Sequence, residues 1–213
     1  MSTAQNKKKI SGIPEPTIRR MPLYLSYLNT IDRKANKFIS APKMARDLGF
    51  DSTQITKDIG YTNVVGKTRV GFDIEELIPA IDDFLGYNKK NEAFLVGAGN
   101  LGSALIKYEG FESTGFKILV AFDNDPGKIG TDINDTKVLH INKFQNLAER
   151  MHISVGIITT PDEYAQQTAD KMVEWGIKAI WNFAPTPIKV KEGIIVENTS
   201  IYSDLAVIIK KLK

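Results

Sequence analysis

The chain has 213 residues, 42% of them apolar and none of them cysteine; two small domains are expected, and disulfides, thiol catalysis and cysteine-ligated zinc or iron–sulfur centres are excluded. No apolar run approaches the roughly 20 residues that span a bilayer, and MSTAQNKKKI lacks a signal peptide's apolar core, so a soluble, cytoplasmic protein with no membrane partner is expected. The net charge of +3 hides an asymmetry: residues 1–72 carry 13 Lys/Arg against 5 Asp/Glu, residues 73–213 carry 15 against 20, and the basic part is a candidate for a polyanion or simply a solvated surface.

Residues 1–12, with Lys7, Lys8 and Lys9, read as a disordered tail or as an arm lying along DNA phosphates. A helix is expected over 16–31, with Ile18, Met21, Leu25, Leu28 and Ile31 on its core face and Pro22 bending it or delaying its start. Ser40 is placed as N-cap of a short helix over 42–48 stopped by Gly49, and Asp51 or Ser52 opens another that ends near Gly60. This pair is a helix-turn-helix whose second member presents Ser52, Thr53, Gln54, Thr56 and Lys57, side chains that can donate to phosphates or read base edges. Residues 63–72 read as a hairpin with Lys67 and Arg69 at its tip, the wing of a winged helix, and Arg19 and Arg20 complete the basic set. An ordinary small helical domain with a solvated basic face fits the same pattern. Asp73 and Glu76 form a capping box for a helix through Leu85, and the polar stretch 86–91 marks the domain boundary.

The six residues Gly97 to Gly102, GAGNLG, lie between the apolar runs 93–96 and 103–106, the strand–turn–helix layout of a dinucleotide fingerprint. Gly97 would permit the sharp turn, Gly99 the approach of a pyrophosphate and Gly102 tight packing of helix on sheet, with phosphates on the N–H groups of the helix start. A second strand-like run over 116–122 ends in Asp123, twenty-one residues after Gly102, where a ribose-binding carboxylate is expected. Glycines at this spacing also serve packing alone. Asp125 adds a carboxylate and no Arg follows in residues 124–127, so a 2′-phosphate would be repelled and NAD(H) is favoured over NADP(H).

Farther on, Asn142 is placed as the cap of a helix to Arg150, and a strand over 153–158 leads to Thr159-Thr160-Pro161, where Thr160 caps and Pro161 starts a helix to Trp175. Strands over 177–181 and 194–196 complete a parallel sheet with right-handed crossovers. Its ligand edge would carry Thr160, Pro161, Asn182 and Phe183. Residues 200–213 form a helix with Ile201, Leu205, Ile208, Ile209 and Leu212 in one stripe, which packs on its own sheet or docks on a partner chain. His140 and His152 read as structural, away from the loop-bearing edge, and no H-E-x-x-H, G-x-S-x-G or phosphate-loop lysine appears. No catalysis and no metal site are expected.

The ordered set Ile13-Pro14, Thr17, RMPLY (20–24), QITKD (54–58), Gly66 to Phe72, VGAGNLGSAL (96–105), FDNDPGKIG (122–130), TTP (159–161) and GIKAIWNFAP (176–185) resembles the Rex family of redox-sensing transcriptional repressors. The resemblance covers nearly the whole chain from Ile13 onward. It implies a winged-helix domain (1–87), a Rossmann-like parallel-sheet domain (91–198) and a C-terminal helix (199–213) swapped into the partner of a homodimer. It implies repression from a palindromic operator on double-stranded DNA and release on binding NADH. Gly97, Ala98, Gly99, Asn100, Leu101 and Gly102 would then hold pyrophosphate, and Asp123, with Asn124, Asp125 and Lys128 beside it, the adenosine ribose. Thr160, Pro161, Asn182, Phe183, Ala184 and Pro185 would surround the nicotinamide half. The chain departs from the family at Thr56, where the pattern Q-I-R-K-D has Arg, and in the wing, where the pattern G-x-R-G-x-G-Y has its Arg one position earlier than Arg69. Ser26 and Ser200 occupy the positions of a family Arg and Asp that form a charge pair, which two serines cannot make, and Ile201 replaces a common aromatic. An NAD-dependent oxidoreductase, or a repressor sensing another nucleotide such as CoA, is the alternative.

Overall fold

The computed structural model describes residues 12–212; the tail or arm expected over 1–12 falls, apart from Gly12, outside the described residues. Two compact units divide between Lys89 and Lys90.

In the first unit, α1 (Glu15–Asn29) starts behind an extended Pro14 with Pro16 in its first turn, where a missing N–H leaves nothing unpaired. Pro22 lies inside the helix and does not delay its start, one of the two effects expected of it. The backbone bond it loses is offset by burial of Met21, Tyr24, Leu25 and Leu28 around it. A two-residue strand β1 (Phe38–Ile39) leads to α2 (Ala41–Leu48), whose cap Ser40 accepts from the Lys43 N–H and whose end Gly49 is left-handed. The next helix, α3 (Ser52–Gly60), is capped by Asp51, which accepts from the Thr53 and Gln54 N–H groups at 2.8 and 3.0 Å. β2 (Phe72–Asp73) pairs antiparallel with β1 and runs into α4 (Ile74–Leu85). The expected capping box is one-sided. Asp73 accepts from the Glu75 N–H, while Glu76 stays exposed. Met21, Tyr24, Leu28, Met44, Ile55, Ile59, Ile74, Leu77 and Ile81 close the core of this unit.

The second unit is a seven-stranded sheet in the order β5-β6-β4-β3-β7-β8-β9. Its strands are β3 (Asn91–Val96), β4 (Phe116–Asp123), β5 (Asp132–Ile133), β6 (Thr136–His140), β7 (Val155–Ile158), β8 (Ala179–Asn182) and β9 (Ile195–Asn198). All neighbours are parallel except the edge pair β5 and β6. Strands β5 and β6 were not anticipated from the sequence. The helices are α5 (Asn100–Ile106), α6 (Phe144–Met151), α7 (Asp162–Glu174) and α8 (Ile201–Lys211).

Alternation along β3 splits the core. Phe94 and Val96 face the cluster built with Phe122, Phe144, Ala165, Ala169 and Met172, whereas Ala93 and Leu95 face Ile118, Ala121 and Ile157. On the first face Phe94, Phe122 and Phe144 meet at ring distances of 4.9–5.4 Å, favourable tilted or edge geometry.

Two cap assignments change. Asn142 does not cap α6; a short 3-10 turn, Ile141–Lys143, precedes the helix, and the His140 ring accepts from the Asn142 N–H. Thr160 does not cap α7 either, since Pro161 occupies the N-cap position and displaces it by one residue. Helix α8, capped by Ser200, does not pack on its own sheet. Ile201, Tyr202, Leu205, Val207, Ile208, Ile209 and Leu212 are all exposed.

Candidate functional sites

The chain runs outward in sheet order from β3 to β4 and β6, then returns to place β7 on the other side of β3. That reversal opens a crevice at the carboxyl ends of β3 and β7, and the glycine turn lies in it. Gly97 has φ 105°, and a side chain there would meet the Thr159 backbone at 2.8 Å. At Gly102 a Cβ would stand 2.2 Å from the Gly97 carbonyl oxygen, whereas at Gly99 nothing lies within 4 Å. Gly97 and Gly102 therefore serve packing, and Gly99 borders open space. The Thr159 hydroxyl, given no role of its own from the sequence, donates to the Gly97 carbonyl at 2.7 Å and ties the turn to β7. The neighbouring Thr160 Oγ1 is buried without a hydrogen-bond partner, an exposed cost unless something else meets it.

At the end of β4, Asp123 is committed on both oxygens. Oδ2 accepts from the Ala98 N–H at 2.8 Å and the Lys128 ammonium at 3.2 Å, and Oδ1 accepts from the N–H groups of Asn124 and Asp125. Burial by itself would raise its pKa, but the Asp125 N–H, Lys128 and the Ala98 N–H together hold the carboxyl below the usual range. Lys128 also lies 3.6 Å from Asp125, whose other oxygen accepts from Gly127.

On β8, Asn182 is fully buried. Its amide donates to Thr186 O and Asn198 Oδ1 and accepts from the Ala184 N–H. Asn182 was expected to face a ligand, but its polar atoms are used inside the fold, where they shape the loop of Phe183, Ala184 and Pro185. Pro161 and Pro185 are exposed at the same edge, as is Asn100, with Leu101 half-buried. His140 also ends its strand at this edge, in register with Asp123. This differs from its expected place away from that edge, because the short strand β6 carries it there.

In the first unit, α3 exposes Thr53, Thr56 and Lys57, with Ser52 and Gln54 half-buried. Beneath it Asp58, 0% exposed, accepts from Thr17 Oγ1, Arg20 Nε and Nη2, Tyr24 Oη and Gln54 Nε2 at 2.6–2.9 Å. Burial pushes the Asp58 pKa up; these donors outweigh it and leave the carboxyl below its ordinary value. Arg20, expected among the DNA-facing cations, is instead the ion-pair partner that pins α1 to α3. Arg19 is exposed and paired with Glu15 at 2.9 Å. The wing is shorter than expected. A single bridge between Lys67 and Gly71 closes it, Arg69 alone sits at the tip with φ 62°, and Lys67 lies at the neck.

A winged-helix unit followed by a Rossmann-type sheet defines a two-part chain of the transcription-regulator class. Two family models match in the same division, a putative DNA-binding protein N-terminus over residues 12–59 and a CoA binding domain over residues 88–186. Redox-sensing transcriptional repressor Rex of Bacteroides fragilis is 40% identical over 212 residues, covering 100% of this chain and 96% of the relative. That of Treponema denticola is 37% identical over 95% of each. The crystal structure of RSP in complex with beta-NAD+ and operator DNA superposes with a TM-score of 0.88 at 34% identity, covering 94% of this chain and 92% of RSP. RSP in complex with beta-NADH gives 0.85 at 34% identity over 95% of each chain. The chain belongs to the Rex family of redox-sensing transcriptional repressors, a family of regulators rather than of enzymes. Among the described residues no helix is long and apolar enough to cross a membrane, and no group of three acids or histidines could hold a metal ion.

Proposed function

We propose that the chain represses transcription as a homodimer, holding operator DNA with residues 1–87, binding NAD(H) with residues 91–198 and pairing with a second copy through residues 199–213. The observation that carries the nucleotide assignment is the buried, unpartnered Thr160 hydroxyl beside a glycine turn whose middle residue, Gly99, faces open space. A ligand that fills this crevice gives that hydroxyl its missing partner. Gly97 to Gly102 take the pyrophosphate, Asp123 accepts from the adenosine ribose once Lys128 yields, and Thr160, Pro161, Phe183, Ala184 and Pro185 line the nicotinamide half, with Asn182 holding that loop in shape. Asn124, Asp125 and Lys128 complete the ribose end. The reduced or oxidised state of the nicotinamide is the signal the protein reads.

DNA falls to Ser52, Thr53, Gln54, Thr56 and Lys57 on α3, to Lys67 and Arg69 in the wing, and to Arg19, with Arg20 acting from behind through Asp58. The uncovered apolar face of α8 supports pairing with a second copy. The test is calorimetric titration with NADH and NAD+, followed by selection of bound fragments from random duplex DNA with and without NADH. Binding of both nucleotides, and a selected palindrome released by one of them, is expected; no heat with either removes the nucleotide assignment. The match to a CoA binding domain favours one other ligand, and mass spectrometry of whatever copurifies with the chain separates the two.

A further inference from the structure

Phe38 of β1 is a half-buried aromatic at the base of the wing, and two ammonium groups lie over its ring. The Lys67 Nζ stands 4.7 Å from the ring centroid and the Lys37 Nζ 5.7 Å, both inside the reach of a cation–π attraction. Lys67 reaches the ring because its backbone is fixed twice to Gly71, through its N–H at 2.8 Å and its carbonyl at 2.9 Å. Gly71 itself abuts β1, where a side chain would meet the Ile39 carbonyl at 2.2 Å. Lys37 is 67% exposed, and its nearest acid, Asp73, is 3.9 Å away and already caps α4 through Glu75. No acid lies within ion-pair reach of Lys67 among the described residues. Two cations held over one ring, on the wing side of a DNA-binding unit, repel each other unless an anion lies between or beside them.

We propose that Phe38 is the positioning residue for the wing's phosphate grip: its ring holds Lys67 and Lys37 as a fixed pair that straddles a phosphate of the DNA backbone. Lys37 thereby joins the DNA contacts, and Phe38 acts without touching DNA itself. The lysine stems would otherwise sample many rotamers, and the platform removes that freedom before the duplex arrives. The contact is to phosphate, so it adds affinity and salt dependence but no base preference. This inference rests on the reading of the first unit as the DNA-binding one.

The experiment measures affinity of the full-length chain for a duplex selected from random sequence, across a salt series, for wild type and for Phe38→Leu, Phe38→Tyr, Lys37→Met, Lys67→Met and Phe38→Leu/Lys67→Met. Each phosphate contact removed makes the plot of log affinity against log salt shallower by about 0.9. Lys37→Met and Lys67→Met should each make it shallower, together by about that amount per subunit, with the base preference unchanged. Phe38→Leu should weaken binding several-fold and Phe38→Tyr should restore it, while Lys67→Met added to Phe38→Leu should cost much less than in wild type. An unaltered slope in Lys37→Met, or additive losses in the double variant, overturns the proposal. A Phe38→Leu chain that does not fold leaves Lys37→Met to decide. Wild type that binds no duplex at all removes the DNA reading instead.

Discussion

The Oδ2 atom of Asp123 accepts a hydrogen bond from the backbone nitrogen of Ala98 at 2.8 Å, so the carboxylate that ends β4 also holds the glycine turn that follows β3. Asp123→Ala removes the proposed ribose acceptor and frees the turn in one step. Hydrogen bonds to a charged partner are worth about 1.5–3 kcal/mol each, and NADH affinity should fall by at least the corresponding factor of ten. Calorimetry before and after the change checks it, and equal affinities would take Asp123 out of the site.

Gly99 and Gly102 separate binding from packing. At Gly102 a methyl group would stand 2.2 Å from the Gly97 oxygen, while at Gly99 it would enter open space. Gly102→Ala should cost about 1–3 kcal/mol of stability, the usual penalty of overpacking. Gly99→Ala should fold like wild type yet bind NADH roughly tenfold more weakly, about 1.4 kcal/mol. Melting curves with and without nucleotide distinguish the pair. A Gly99→Ala chain that binds normally would mean that no ligand approaches the turn.

Asp58 makes the first unit acid-sensitive. Its carboxyl is held below the ordinary value of about 3.9, so the folded state binds fewer protons than the unfolded state below that value. The stability it lends is full above about pH 4 and drains away as pH falls through the lower folded pKa. Hydrogen exchange of α1 and α3 amides, followed from about pH 6 to about pH 3, should show this loss. Asp58→Asn should flatten it and cost about 1.5–3 kcal/mol at neutral pH, because the half-buried Arg20 loses its charged hydrogen-bond partner. Both tryptophans, Trp175 and Trp181, lie in the other unit, and their fluorescence should change little.

Helix α8 offers a test of assembly. Leu205 and Ile208 are 48% and 57% exposed on its apolar face, and charges placed there cannot be covered without a desolvation cost of several kcal/mol. Leu205→Glu/Ile208→Glu should sediment as a monomer with both units folded. A variant that remains dimeric would locate the interface elsewhere.

The alternating apolar pattern, the cap Ser40, the start of α3 at Asp51 or Ser52 and the strand–glycine–helix run were legible in the sequence because each is a local signal. The edge strands β5 and β6 were not, since five residues between turns, Thr136 to His140, leave little periodicity to read. Arg20 looked like a surface cation until Asp58, 38 residues away, was brought beneath it. Asn182 likewise looked like a ligand contact until Asn198 came within 2.8 Å. Long-range pairing decides such residues, and spacing along the chain carries no trace of it.

The internal pairing of the basic unit has a kinetic consequence. Arg20 is matched by Asp58, Arg19 by Glu15 and Lys43 by Asp47, whereas no acid stands within 4.0 Å of Lys57, Lys67 or Arg69 among the described residues. The wing and the exposed side of α3 therefore carry uncompensated positive charge, as do Arg33, Lys34 and Arg46 elsewhere on the unit. A duplex diffusing toward the unit should be drawn to it at low ionic strength. The rate of encounter, more than the lifetime of the complex, is what added salt should diminish.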